Sequence, residues 1–284
     1  YGNASKHFGQ IYDKPGEIES IKGLSAINEI IMVDQKPIGT SSRSNPASYM
    51  KIYDDIRSMI SKTKDSKQLN LRPGDFSFNT EGGRCEDCKG EGVKVIEMQF
   101  LSDMEVVCDE CNGKRFSEPI LKVKLNGKNI NQILGLTIKE AKSFFGGSKK
   151  IASKLDALSS VGLEYLTLGQ PSNTLSGGEA QRIKIAKSLL SKNSTNSLYI
   201  MDEPSIGLHV HDLKKLIDTF DLLIENNNSV VIIEHNLDLI KISDFIIDMG
   251  PGGGSKGGNI IATGTPEEII KNKSSVIGKY LKNL

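Results

Sequence analysis

Residues 198–203 read Leu-Tyr-Ile-Met-Asp-Glu, a short apolar run that ends abruptly in two carboxylates. Its length suits a buried parallel strand better than a helix. A strand that delivers adjacent acids at its carboxyl end is one way to present a magnesium-organising Asp beside a general base. On that reading Asp202 holds the magnesium of a nucleotide, and Glu203 polarises the attacking water. Strands ending in acids are common, so the motif gains its weight from its neighbours.

Upstream, residues 175–182 read Leu-Ser-Gly-Gly-Glu-Ala-Gln-Arg. Gly177 and Gly178 let the backbone approach an anion, Ser176 can donate from its hydroxyl, and a helix opening there points its N-terminus at a phosphate. Ala180, Ile183, Ala186 and Leu190 recur at three and four, which gives that helix a buried face. Downstream, Val230–His235 is a second apolar run ending in Glu234 and His235. A neutral imidazole there can meet a γ-phosphate or the attacking water.

Further out, Ser229–Ile233, Phe245–Met249 and Asn259–Ala262 read as strands. Leu213, Leu216, Ile217, Phe220 and Leu223 recur at helical spacing, and Thr137 with Glu140 forms a capping box ahead of another helix. Alternating strands and helices predict an α/β fold with much parallel sheet. Residues 61–75 are polar and basic and read as a linker; the Gly-rich stretch 251–258 reads as a turn or loop. Lys149, Lys150, Lys154, Lys184 and Lys187 have the spacing of solvated helix faces and receive no function.

The 284 residues carry 36 Lys and Arg against 35 Asp and Glu, a net charge of +1, so any anionic partner must be met by a local patch. No stretch approaches the ~20 apolar residues of a membrane-spanning helix. With 37% hydrophobic and 25% charged residues, collagen-like, disulfide-dense and disordered classes are excluded as well.

The four cysteines fall in two pairs, Cys85/Cys88 and Cys108/Cys111, separated by 19 residues. That spacing fits a closed tetrahedral zinc site, and no histidine is near enough to open a catalytic position. Gly90 and Gly113 follow each pair where a tight turn favours positive φ. Between the pairs, Ile96, Met98 and Phe100 alternate with Glu97 and Gln99 and predict a half-buried strand. We read the region as a zinc-stabilised hairpin. Around it, Arg84, Lys89, Lys94, Lys114 and Arg115 are interleaved with acids and form a candidate phosphate track.

The three nucleotide-type motifs, in this order and spacing, resemble the signature loop, Walker B strand and switch histidine of the ATP-binding cassette ATPases. More narrowly, residues 33–39, 42–49, 76–92, 168–182 and 232–254 resemble the second cassette of the UvrA subunits of the bacterial excision-repair nuclease. The resemblance implies an incomplete ATP-binding cassette ATPase fold with an inserted α-helical signature domain that carries the zinc hairpin. It implies a core segment at 1–45, a signature domain at 46–194 with its zinc module at about 76–120, and a second core segment at 195–284. Gln35 then takes the Q-loop role with Glu203 and His235; Ser176, Gly177 and Gly178 face nucleotide on a partner cassette, and Glu179 joins the ATP-binding residues with Asp202. His209 falls where the family has its D-loop, although GLHVHD departs from the usual pattern. Implied cofactors are ATP, Mg2+ and one structural Zn2+. Implied partners are lesion-bearing duplex DNA, UvrB and a second copy of the full-length protein, in the cytoplasm and within the SOS response.

No G-x-x-x-x-G-K-[S/T] loop occurs, and the chain opens on Tyr1. The sequence therefore reads as a piece downstream of its phosphate-binding loop, inactive as an ATPase alone. Two rivals remain at this stage. One is a UvrA-like paralogue for drug resistance or self-protection, suggested by departures at Thr40, Ser41, Ser42, Ser205 and Ile206. The other is a non-catalytic zinc module that binds DNA.

Overall fold

A computed structural model describes residues 1–11, 15–39, 41–96, 98, 104–190, 195–254 and 257–283. The chain begins with α1 (Gly2–His7) and β1 (Glu29–Val33), then α2 (Pro46–Tyr49), α3 (Ile52–Ile60) and α4 (Lys64–Gln68). The hairpin β2 (Val93–Ile96) and β3 (Met104–Val107) is followed by α5 (Glu118–Lys122), α6 (Ile130–Leu134), α7 (Ile138–Phe144), α8 (Lys149–Ser160) and α9 (Gly177–Leu189). Strand and helix then alternate through β4 (Ser197–Asp202), α10 (Val210–Glu225), β5 (Ser229–Ile233) and α11 (Leu237–Ile242). The chain closes with β6 (Ile246–Gly250), β7 (Asn259–Gly264), α12 (Pro266–Lys271) and α13 (Val276–Leu281).

β1, β4 and β5 form a parallel sheet in that order, with Val33 beside Met201 and Asp202 beside Ile233. This register brings three carboxyl ends to one level, where open α/β sheets place their ligand sites. The strands pack against the helical half of the chain through a shared core. Val33, Tyr199 and Met201 join Ile52, Ile56 and Ile60 of α3 and the buried rings of Phe76, Phe78 and Phe116. β5 lies at the outer edge of this sheet and leaves Val231 and Ile233 half exposed. β6 and β7 pair antiparallel across the Gly-rich stretch and pack with α12 and α13 over a small core of their own, Ile246, Ala262, Ile269 and Leu281.

Local chemistry explains the helix starts. Thr137 and Glu140 cap α7 reciprocally, as the sequence predicts, and Ser176 with Glu179 does the same for α9.

Two sequence expectations change. The polar stretch 61–75 is not a linker: Thr63 caps α4, and buried Ser66 donates to the carbonyl of Ile60 at 2.6 Å. Just beyond it, Tyr53 donates to the carbonyl of buried Phe76. Its polarity is that of a short surface helix fastened at both ends. The strand at Ile96 exists but is exposed rather than half-buried. Val95, Ile96, Met104, Val106 and Val107 are all exposed, because among the described residues no layer packs on either face of the two-stranded ribbon. Glu97, Gln99 and Phe100 lie outside the described residues.

Candidate nucleotide site and metal centre

Gln35 follows β1, Asp202 ends β4 with Glu203 just beyond it, and His235 follows β5, so strand register gathers all four. His235 Nε2 lies 3.4 Å from Glu203 Oε1. Glu203 has φ +46, a left-handed backbone that a non-glycine residue adopts at a cost of ~1–2 kcal/mol. The turn is held on both sides: the Glu203 amide donates to the carbonyl of Ile233 at 2.8 Å. Glu234 accepts from the amides of Ser205, His235 and Asn236 at 2.8–3.0 Å, which joins the loop after β4 to the loop after β5. The side chain of Asp202 is exposed at the strand end, open to a hydrated cation.

The α9 N-terminus abuts this cluster. A Cβ on Gly177 would stand 3.1 Å from Gln35 Oε1, and one on Gly178 would stand 2.6 Å from the carbonyl of Ile206. Gly178 needs glycine for this approach to backbone, whereas a side chain at Gly177 would press on Gln35. Ser176 is exposed at the tip, with its hydroxyl accepting from the Glu179 amide. Ser176, Gly177, Gly178 and Glu179 therefore form one capped turn beside Gln35.

Three contributors escaped the sequence reading. Gln181 is fully buried and bonds both β1 and β4, Lys184 bonds the backbone around Gln35, and Glu234 ties the two loops together. The reading of Lys184 and Lys154 as solvated is corrected: their side chains are 17% and 16% exposed, each engaged with an aspartate and a backbone carbonyl. Lysine spacing along a helix reports a face, not what packs over it.

Cys85, Cys88, Cys108 and Cys111 are all buried, and their sulfur atoms lie within 4.8 Å of one another. Cys85 Sγ is 4.0 Å from Cys108 Sγ, and Cys88 Sγ is 3.6 Å from Cys111 Sγ. A tetrahedron with Zn–S bonds of ~2.3 Å has S···S edges of ~3.8 Å, so the donor set fits a zinc ion. The Gly92 amide donates to Cys88 Sγ at 3.2 Å, and Gly90 and Gly113 both have positive φ, as expected. Burial pushes the Cys108 thiol up to about 12 and raises Cys85. Four thiolates cannot share this space without a dication to compensate them.

The candidate phosphate track divides into two kinds of residue. Arg84 is 13% exposed and pairs with Glu81 and Glu86; Lys94 pairs with Asp87 at 2.8 Å. Arg115 lies with its guanidinium 5.9 Å from the Phe78 ring, where burial lowers its pKa. Lys89 and Lys114 are exposed at the surface. Ser42 and Arg43 reach across to Glu91 of the cysteine module, with Arg43 Nη2 at 3.0 Å.

The chain is 49% identical over 282 residues to UvrABC system protein A of Aquifex aeolicus and 52% identical over 271 residues to that of Staphylococcus aureus (strain COL). These alignments take in 99% and 95% of this chain. By sequence it is UvrA-like along nearly its whole length. It spans only about 30% of the length of those relatives. The crystal structure of UvrA2 from Deinococcus radiodurans superposes with a TM-score of 0.93 at 40% identity, covering 99% of the UvrA-like chain and 34% of UvrA2. No family model matches the sequence. Among the described residues, no helix is long and apolar enough to cross a membrane.

Proposed function

We propose that this UvrA-like chain supplies the hydrolytic half of an ATP-binding cassette within a DNA-damage recognition ATPase. The observation that carries the reading is the meeting of Gln35, Asp202, Glu203 and His235 at the carboxyl ends of three parallel strands. In it, Asp202 and Gln35 hold the magnesium of bound ATP, an ion that neutralises charge on the transferring phosphoryl group. Glu203 Oε1 orients the attacking water and draws on its proton, while His235 Nε2 holds that carboxylate in place. The turn at Ser176–Gly178 faces the nucleotide of a second cassette, and hydrolysis in the full-length dimer gates lesion binding and loading of UvrB in the cytoplasm. Residues 1–45 and 195–284 then serve as core and 46–194 as a signature domain, with zinc as a structural staple.

Full-length protein is expected to hydrolyse ATP with magnesium and to support UvrB-dependent incision of damaged duplex. Turnover without incision would favour the paralogue reading, to which the departures at Thr40, Ser41, Ser42, Ser205 and Ile206 point. Absence of magnesium-dependent turnover would overturn the proposal.

A further inference from the structure

Gln181 and Lys184 are three apart on α9, so they share a face, and that face lies over the ends of β1 and β4. Gln181 Nε2 donates to the carbonyl of Val33 at 3.0 Å and to that of Asp202 at 2.8 Å. One amide group thus bridges the last residue of β1 and the acid that ends β4. One turn further on, Lys184 Nζ donates to the carbonyl of Asp34 at 3.0 Å, to Asp34 Oδ1 at 2.5 Å and to the carbonyl of Lys36 at 2.6 Å. Its three acceptors bracket Gln35 on both sides. Although burial works to raise the Asp34 pKa, the bond and charge of Lys184 hold that carboxyl below its ordinary value, so the pair is ionic.

The opposite end of the same helix touches the same residue. The α9 N-terminus presents Gly177 against Gln35, with no room for a methyl group without displacement of the glutamine. The start of α9 therefore lies close against the Gln35 side chain, while Lys184, seven residues along, holds the backbone on either side of Gln35. Lys154 makes a similar lysine–aspartate contact on α8, but that one braces α8 on α3, away from the strand ends.

We infer that Lys184, assisted by Gln181, is a positioning residue that makes α9 and the Gln35 loop one rigid unit. Through Gln181, and through the Gln35 side-chain amide that donates to the Asp202 carbonyl at 3.4 Å, the same helix holds Gln35 in register with the end of β4. The link joins the helix that opens at the Ser176–Gly178 turn to the residue that holds magnesium with Asp202, and it rests on the ATP-hydrolysis reading above.

Two measurements test it separately. Hydrogen exchange on the 284-residue chain is expected to rise at least about tenfold at the Lys36 amide, which donates to the Asp34 carboxylate that Lys184 holds, in Lys184→Met, with the cysteine module unchanged. Lys184→Arg, which keeps charge and donors, is expected to restore protection. Unchanged exchange in Lys184→Met overturns the link whatever the protein's activity. In the full-length protein, Lys184→Met is expected to lower kcat for ATP roughly tenfold with KM within about twofold, and Lys184→Arg to recover most of it. A rise in KM alone, or no change, overturns the positioning role. If wild-type protein fails to turn over ATP, the ATPase reading fails, while the exchange result still decides whether α9 holds the loop.

Discussion

Glu203 and His235 face each other across a parallel strand pair, 3.4 Å apart, yet neither sits on the strand proper. Each occupies the residue or two beyond its strand, and Glu203 turns there through a left-handed backbone. Its amide and the Glu234 carboxylate anchor the two loops to each other. The surrounding hydrogen bonds over-determine the strained conformation, which is how such strain persists at sites that use it.

Glu203→Gln preserves shape and leaves the φ requirement unchanged, but it removes the base. In full-length protein we expect ATP turnover to fall roughly 100-fold or more while ATP binding persists. His235→Ala is expected to cost less, because its side chain is mostly exposed and meets Glu203 by one edge. Steady-state ATPase assays paired with nucleotide-binding measurements separate the two. Turnover by Glu203→Gln within about threefold of wild type would remove Glu203 from the chemistry.

Among the described residues the cysteine module has no large apolar core of its own, and an exposed two-stranded ribbon is marginal alone. We expect one zinc per chain by elemental analysis. Cys108→Ser, at the most buried ligand, is expected to abolish stoichiometric zinc and unfold the module. In small zinc domains the metal contributes on the order of 10 kcal/mol at neutral pH. Retention of full zinc by Cys108→Ser would exclude the four-sulfur site.

Periodicity and motif spacing reached the strands around residues 198, 230 and 246, the helix after Ser176 and the clustering of the four cysteines, because each has a local signature. What stayed hidden depends on packing between distant segments. Nothing in the sequence around Lys184 distinguishes it from Lys187; the difference is the Asp34 backbone lying beneath one and the ring of Tyr49, 4.0 Å away, beneath the other. Likewise the alternation around Ile96 reports a pleat, and burial depends on whether a second layer exists.

Asp55 gives a pH-dependent test of the helical half. Its carboxylate accepts from Lys150 and Lys154, each at 2.6 Å, which clamps α3 to α8. Burial acts to raise its pKa, but these bonds and charges hold it below the ordinary carboxylate value. A depressed folded pKa stabilises the protein above the unfolded value of about 3.9 and loses that contribution as the pH falls through the folded one. Asp55→Asn is therefore expected to cost roughly 1–2 kcal/mol at neutral pH and little at about pH 2. Urea unfolding at both pH values measures the difference, and a pH-independent cost would point to packing rather than charge.

The basic residues around the cysteines should separate by whether their charge is already committed. Arg84 and Lys94 neutralise acids of their own module, and Arg115 is packed against Phe78, so none presents a free cation to a phosphate. Lys89 and Lys114 are exposed in the turns after Cys88 and Cys111. If duplex DNA passes this surface, Lys89→Ala and Lys114→Ala should each reduce the salt slope of binding by about 1, uniformly across sequences. Arg84→Ala is instead expected to lower thermal stability through loss of its pairs with Glu81 and Glu86, with the slope unchanged. Salt titration of duplex binding by full-length protein, alongside a melting curve for each variant, distinguishes these effects. A reduced slope in Arg84→Ala with both lysine variants unchanged would mean that the ion pairs open on DNA and that the exposed lysines are bystanders.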